Sequence, residues 1–156
     1  MNLRTILHHP LLSLAARFVV GFVFVAAAVD KIAAPDLFAK SIGNYQLIPL
    51  WGLHITALTL PWIEFTAGLL LILGVRLRAS AAIAGLLLVV FITAVSWALF
   101  QGYNINCGCF AQTPEAAEQS KVGLPKILEN TGMTLLCAYI FLFPSQKLTL
   151  EPVSQI

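Results

Sequence analysis

The sequence predicts an all-α protein, a four-helix transmembrane bundle with a short periplasmic interfacial helix. Of the 156 residues, 59% are hydrophobic and only 10% are charged, whereas soluble domains carry about 25% charged residues. The mean hydropathy is +0.88. Four apolar segments each reach the roughly 20 residues that a helix needs to cross a bilayer. We therefore expect residues 1–156 to form a single transmembrane domain.

The four apolar segments are separated by turn and loop residues. Pro35 ends the first segment, Pro61 lies inside the second, and the third contains no charged residue. The connection between the second and third segments, "VRLR", is so short that the two helices must form an antiparallel hairpin. The predicted spans cover about residues 11–34, 52–74, 79–101 and 125–143.

A fifth, shorter helix is predicted between the first two spans, in the stretch "PDLFAKSIGNYQLIPLW". Leu37, Phe38, Ile42 and Tyr45 recur at three- and four-residue spacing, which indicates one apolar helical face. Lys40 falls on the opposite side. Such a helix is expected to lie in the membrane interface.

The charge distribution indicates a lipid environment and an orientation in it. A net charge of +2, without a basic cluster, excludes a nucleic-acid partner. Cytoplasmic loops of membrane proteins carry an excess of Lys and Arg. One side of the predicted bundle holds Arg4, Arg17, Arg76, Arg78 and Lys147. The other holds Lys31, Lys40, Lys121 and Lys126. The short Arg76/Arg78 connection places both termini in the cytoplasm and the loop 102–124 outside.

The loop 102–124 carries two of the three cysteines, Cys107 and Cys109, in the stretch "YNINCGCF". A disulfide between them closes a small ring whose usual dihedral is hard to reach, and a strained disulfide is easily reduced. This favours thiol–disulfide exchange. Two alternatives stay open: the thiols are ligands for a soft metal or another thiophilic species, or they are ordinary loop thiols.

The predicted spans also contain ionisable residues, which in a membrane face the bundle interior and are paired or protonated. Glu64 lies ~18 Å from the outer end of its helix at about 1.5 Å per residue. The same axial reckoning, with the helix ends taken as level, predicts Arg17 as its partner. The pair is either an ion pair that fixes helix register or part of a proton or quinone site.

Two further residues have both a structural and a functional interpretation. Lys31 lies near a helix C-terminus, where the helix dipole favours a cation, and it could also lower the pKa of a nearby thiol. Cys137 lies in the fourth span. It is either a small apolar filler or a relay thiol that receives electrons from the outer pair.

Several stretches together resemble the MauE/DoxX family of four-helix membrane proteins, and most closely its MauE branch. They are "RFVVGFVFVAAAVDKIAAPDLFAKSIGNYQLIP", "LPWIEFTAGLLLILGVRLRASA" and "INCGCFA". The positions that match the family pattern are Arg17, Lys31, Pro35, Pro61, Glu64 and Cys107 to Phe110.

The resemblance implies membrane thiol-redox work in the bacterial inner membrane. The MauE branch is associated with disulfide formation in the small subunit of methylamine dehydrogenase, beside a thioredoxin-like protein. DoxX relatives are linked to thiosulfate and quinone chemistry. The resemblance therefore implies a quinone as the candidate cofactor. If the chain is an enzyme, the resemblance implies that it is a thiol–disulfide oxidoreductase. The alternatives are a carrier for thiophilic species (mercury, copper, selenium or sulfane sulfur) and a non-catalytic membrane subunit that docks a soluble oxidoreductase.

Overall fold

A computed structural model describes residues 10–102 and 124–144, and all regular secondary structure in these two ranges is helical. The long helices coincide with the four predicted apolar segments to within two residues at each end, and the predicted interfacial helix lies between the first two. The all-helical fold class is therefore confirmed. The helices are α1 (Pro10–Ala33), α2 (Pro35–Asn44), α3 (Leu50–Leu73), α4 (Leu77–Phe100) and α5 (Leu124–Leu142).

Three helices of the described part of the chain are long and apolar enough to cross a membrane: Leu11–Ala33, Leu50–Leu73 and Leu77–Phe100. The chain is thus a membrane protein. The helix α5 is not among the three, because Lys126, Glu129 and Asn130 occupy its first two turns. Its crossing of the bilayer stays a prediction.

The helices α1 and α3 form an antiparallel pair with a close crossing. A Cβ atom added to Gly21 would lie 2.8 Å from the carbonyl oxygen of Gly68, and the reciprocal distance is also 2.8 Å. Glycines let two helix backbones approach this closely in a membrane protein. On one side of the crossing Arg17 reaches the last turn of α3, and on the other side Lys31 reaches Glu64.

The helices α4 and α5 form the second antiparallel pair. Near the middle of α4, a Cβ added to Gly85 would lie 3.5 Å from the Cβ of Cys137. Farther along α4, Val95 and Ala98 pack with Ile127 in one apolar cluster. Higher numbers in α4 therefore meet lower numbers in α5.

The predicted hairpin between the second and third spans is confirmed. The helix α3 ends at Gly74, whose φ of 73° lies in the left-handed region that favours glycine. This conformation lets the N–H of Val75 donate to the carbonyl of Leu70 at 3.0 Å. Arg76, with a φ of 45°, then starts α4.

The alternating helix directions give the molecule two distinct ends. The first, called the turn end, holds the start of α1, the 74–76 turn and the end of α5. The hydroxyl of Ser13 donates there to the carbonyl of Phe143 at 3.4 Å. The second, called the α2 end, holds α2, the end of α4 and the start of α5.

The short helix α2 packs on α3 at the α2 end. Its buried residues are Phe38 and Ala39, and Ile42 packs beside them. Tyr45, which caps the C-terminus of α2, is also buried and packs against Val95 and Ala98 of α4. Leu37, which the sequence places on the same apolar face, is 47% exposed. Positions 38, 42 and 45 follow one helical stripe, in which Ile42 is only partly buried, and Leu37 lies about 100° away from Phe38 around the helix.

Candidate functional site

A buried ion pair joins α1 to α3 at the α2 end. The Nζ atom of Lys31 lies 2.6 Å from Oε2 and 2.8 Å from Oε1 of Glu64, and the two side chains are 6% and 14% exposed. The same ammonium group lies 5.1 Å from the ring centroid of Phe38, within the range of a cation–π interaction. Lys31 is therefore held by a carboxylate and by an aromatic face.

The predicted partnership of Arg17 with Glu64 is wrong. The Nε atom of Arg17 donates to the carbonyl oxygen of Leu71 at 3.1 Å, and its Nη2 donates to that of Ile72 at 3.4 Å. These carbonyls lie in the last turn of α3, where helical acceptors lack intrahelical donors. A cation is also favoured there by the helix dipole. Arg17, fully buried, fastens α1 to the C-terminus of α3.

The register of α1 against α3 explains both results. From the Gly21–Gly68 crossing, Lys31 lies ten residues and Glu64 four residues toward the α2 end, which is ~15 Å and ~6 Å at 1.5 Å per residue. Arg17 lies four residues, ~6 Å, toward the turn end. The axial separation of the Cα atoms is thus ~9 Å for Lys31 and ~12 Å for Arg17.

The directions of the side chains further favour Lys31 over Arg17 as the partner of Glu64. Long helical side chains point toward the N-terminus of their own helix. In an antiparallel pair, Lys31 therefore points back toward Glu64, and Glu64 points forward toward Lys31. Arg17 points away from Glu64, toward the end of α3. The sequence-based estimate assumed that the ends of the two helices lie at the same height. It therefore missed both the true register of α1 against α3 and the opposite directions of the two cationic side chains.

The ion pair lies in the wall of a cavity of about 590 Å³ at the α2 end. All five helices contribute to its lining, which consists mainly of apolar side chains, more of them from α4 than from any other helix. Lys31 and Glu64 are the only charged groups among the described residues that line it. The uncharged polar lining residues are Ser41, Tyr45, Thr56, Thr93 and Asn130.

Two of these lining residues were not identified as site residues from the sequence. Tyr45 was expected only on an apolar helix face, and burial raises the pKa of its phenol to about 12. The phenol is thus uncharged at neutral pH. Asn130 donates from Nδ2 to the carbonyl of Lys126 at 2.8 Å. Neither residue stands in a recognisable motif, because the cavity joins segments that are far apart in the chain.

The cysteines occupy two different situations. Cys107 and Cys109 lie outside the described residues, in the segment 103–123 that links the end of α4 to the start of α5. Both of these helix ends belong to the α2 end, as does the cavity. Cys137 is 1% exposed and packs in the apolar cluster with Leu88 and Ile140. This environment suits an apolar filler, and a relay role for Cys137 stays a prediction.

The fold and the buried ion pair define a helical membrane protein with a charged pair between two of its helices, in the wall of a mainly apolar cavity. Residues 9–143 match the family model described as methylamine utilisation protein MauE. The chain therefore belongs to the MauE family, which is involved in methylamine utilisation.

Three relatives carry the description methylamine utilization protein MauE. The protein from Methylophilus methylotrophus is 24% identical over 143 residues, which is 91% of this chain and 74% of the relative. The protein from Methylorubrum extorquens is 30% identical over 131 residues, covering 83% and 68%. The protein from Paracoccus denitrificans is 30% identical over 102 residues, covering 65% of this chain and 55% of the relative. No solved structure matches the chain significantly.

Proposed function

We propose that this chain is an inner-membrane thiol–disulfide exchange protein of a methylamine utilisation system. Cys107 and Cys109 cycle between dithiol and disulfide and so support the maturation of an exported partner. The observation that carries the proposal is the Cys-Gly-Cys stretch, in a MauE-family chain, within the connection between α4 and α5. The natural counterpart is a periplasmic thioredoxin-like protein or an exported enzyme subunit.

The exchange chemistry needs two thiols in sequence. The thiolate of the attacking cysteine forms a bond to one sulfur of the partner's disulfide, and the other partner sulfur leaves as a thiolate. The second cysteine then attacks the mixed disulfide, which forms the Cys107–Cys109 disulfide and releases the second partner thiolate. The partner gains two electrons and, on protonation, two protons, while this chain loses the same. The reverse sequence oxidises a partner dithiol.

The proposal places the α2 end in the periplasm and the turn end, with both termini, in the cytoplasm, with α5 as the fourth span. The basic residues Arg76 and Arg78 of the turn end support this orientation. A membrane-impermeant alkylating reagent is therefore expected to label Cys107 or Cys109 in intact spheroplasts after mild reduction, and to leave Cys137 unlabelled. Labelling of the pair in inverted vesicles only would reverse the orientation.

The exchange mechanism itself is tested with single serine variants expressed in the native host. We expect the variant that lacks the resolving cysteine to accumulate a covalent adduct with the partner, visible on a non-reducing gel and lost with dithiothreitol. The variant that lacks the attacking cysteine accumulates none. We assign Cys109 as the resolving thiol, because Cys107 follows the polar stretch 103–106 and Cys109 is followed by Phe110.

A carrier of thiophilic species gives a different result in the same experiment. Two thiols that act together as ligands for a soft metal predict that Cys107→Ser and Cys109→Ser fail alike. If neither variant forms an adduct and both lose metal or selenium uptake to the same extent, the exchange mechanism is wrong.

A further inference from the structure

We propose that the cavity at the α2 end binds an uncharged, apolar molecule from the bilayer whose terminal carbonyl or hydroxyl oxygen hydrogen-bonds the Lys31–Glu64 pair. The proposal uses neither Cys107 nor Cys109, and it does not depend on thiol exchange. It rests on the lining of the cavity, its size and the chemistry of the ion pair.

The size and the lining of the cavity fit one small or medium-sized apolar ligand. Its volume of about 590 Å³ lies within the roughly 300–1,000 Å³ that is typical of ligand sites, which are mostly apolar with a few polar groups that orient the ligand. Phe91, Ala94 and Trp97 of α4 line it together with Phe24 of α1 and Leu60 of α3. All five belong to helices long and apolar enough to cross a membrane, so the lipid is the expected source of an apolar ligand.

The ion pair determines the chemistry of the ligand's polar end. An ammonium group has three N–H donors, and Lys31 directs hydrogen bonds to the two carboxylate oxygens of Glu64. One donor thus remains for a carbonyl oxygen. Each carboxylate oxygen keeps a further lone pair, which can accept a hydroxyl proton. The pair can therefore hydrogen-bond a ligand oxygen that is either a carbonyl or a hydroxyl.

The net charge of the pair excludes a charged ligand. Lys31 and Glu64 neutralise each other, and they are the only charged side chains among the described lining residues. A charged head group in this cavity would lose its hydration without gaining a counter-charge, which is strongly unfavourable in an apolar environment. Desolvation of an uncharged oxygen costs far less, and a hydrogen bond to the ion pair offsets that cost.

Binding is measured by tryptophan fluorescence in a chain designed to isolate the cavity. Trp51→Phe and Trp62→Phe leave Trp97, which lines the cavity, as the only tryptophan of the three in the chain. Cys107→Ser and Cys109→Ser remove the outer thiols, so a failure of thiol exchange cannot influence the result. A 1,4-benzoquinone that carries a ten-carbon chain serves as the quenching probe, and we expect its quenching to saturate.

The recognition of the oxygen is tested by competition against this probe. The competitors 4-decylphenol and decylbenzene differ by one hydroxyl group, and we expect the phenol to compete at least tenfold more strongly. Lys31→Met with Glu64→Leu removes both charges together, and replacement of a buried ion pair by apolar residues is often neutral for stability. In that double variant the preference is expected to fall below twofold.

A second pair of variants tests the cavity without changing the ion pair. Ala94→Phe places a ring in the cavity and is expected to abolish saturable quenching. Ala82→Phe introduces the same ring on the exposed side of the same helix and should leave quenching unchanged. The proposal is overturned if quenching survives Ala94→Phe, if both alanine variants behave alike, or if the double variant keeps the tenfold preference for the phenol.

Discussion

The two ends of the α1–α3 pair are built in opposite ways. At their crossing and from there toward the turn end, the helices are in close contact: Gly21 meets Gly68, and Val20 and Leu71 are completely buried beside them. At the α2 end the same two helices border a cavity of about 590 Å³. One helix pair is therefore closely packed at one end and encloses space at the other.

The buried cations of α1 follow the same division. Arg17, at the turn end, donates to backbone carbonyls of α3, which are fixed by the helix and cannot move independently. Lys31, at the α2 end, binds the side chain of Glu64, which can rotate and accept a further hydrogen bond. The first contact suits architecture, and the second suits a site where a ligand enters and leaves.

The largest effect on stability is expected from stranding one charge at the α2 end. Glu64→Ala leaves the buried ammonium of Lys31 without its carboxylate, at a cost of about 3–5 kcal/mol by analogy with buried pairs in soluble proteins. Lys31→Met with Glu64→Leu should recover most of this loss. The free energy of unfolding, measured by SDS titration in mixed micelles, distinguishes the variants. Equal stability of Glu64→Ala and the original chain would mean that the ion pair does not form.

A smaller effect is expected from disturbing the close contact where α1 crosses α3. In Gly68→Ala the new Cβ would lie 2.8 Å from the carbonyl oxygen of Gly21 and 2.9 Å from the Cβ of Phe24. Overpacking of this kind costs about 1–3 kcal/mol.

Gly132→Ala is the matched control for the Gly68 variant. Within the described part of the chain, no atom lies within 4 Å of a Cβ added to Gly132 in α5, apart from the neighbouring backbone. Alanine there should stabilise the helix by roughly 0.5–1 kcal/mol. The same SDS titration measures both variants. If Gly68→Ala is as stable as Gly132→Ala, the crossing of α1 and α3 is less closely packed than the structure indicates.

The sequence predicts the elements of this fold better than their relative placement. Apolar length, Pro35 and the short connection at Arg76 and Arg78 are local signals, and the helices lie where these signals place them. Glu64 was identified as a buried group that needs a partner, because a lone carboxylate in a membrane is costly wherever it lies.

The partner of Glu64 depends on information that no local pattern contains. The choice between Arg17 and Lys31 is set by the register of α1 against α3, which cross at Gly21 and Gly68. A shift of one or two helical turns would change which cation reaches the carboxylate. The cavity residues Tyr45 and Asn130 could not be predicted for the same reason, since their neighbourhood exists only after the helices have packed.

The smallest effect is expected at an exposed ion pair that has the same chemistry as the buried one. Lys126 and Glu129 form a 2.8 Å contact on α5, and their side chains are 21% and 48% exposed. Water and salt screen such a pair, and i,i+3 pairs on helices contribute only about 0.2–0.5 kcal/mol. Glu129→Gln should therefore change the free energy of unfolding by no more than this, and by less still at high salt.

Glu64→Gln is the matched control for Glu129→Gln, because it makes the same chemical change where water is excluded. Its amide still accepts a hydrogen bond from Lys31 but no longer compensates the ammonium charge. We expect it to destabilise the protein clearly more than Glu129→Gln, with a loss that salt hardly alters. SDS titration of both variants at low and high salt measures the difference. If the two variants lose equal stability and respond equally to salt, water reaches the Lys31–Glu64 pair freely, and the division between a closed and an open end loses its electrostatic basis.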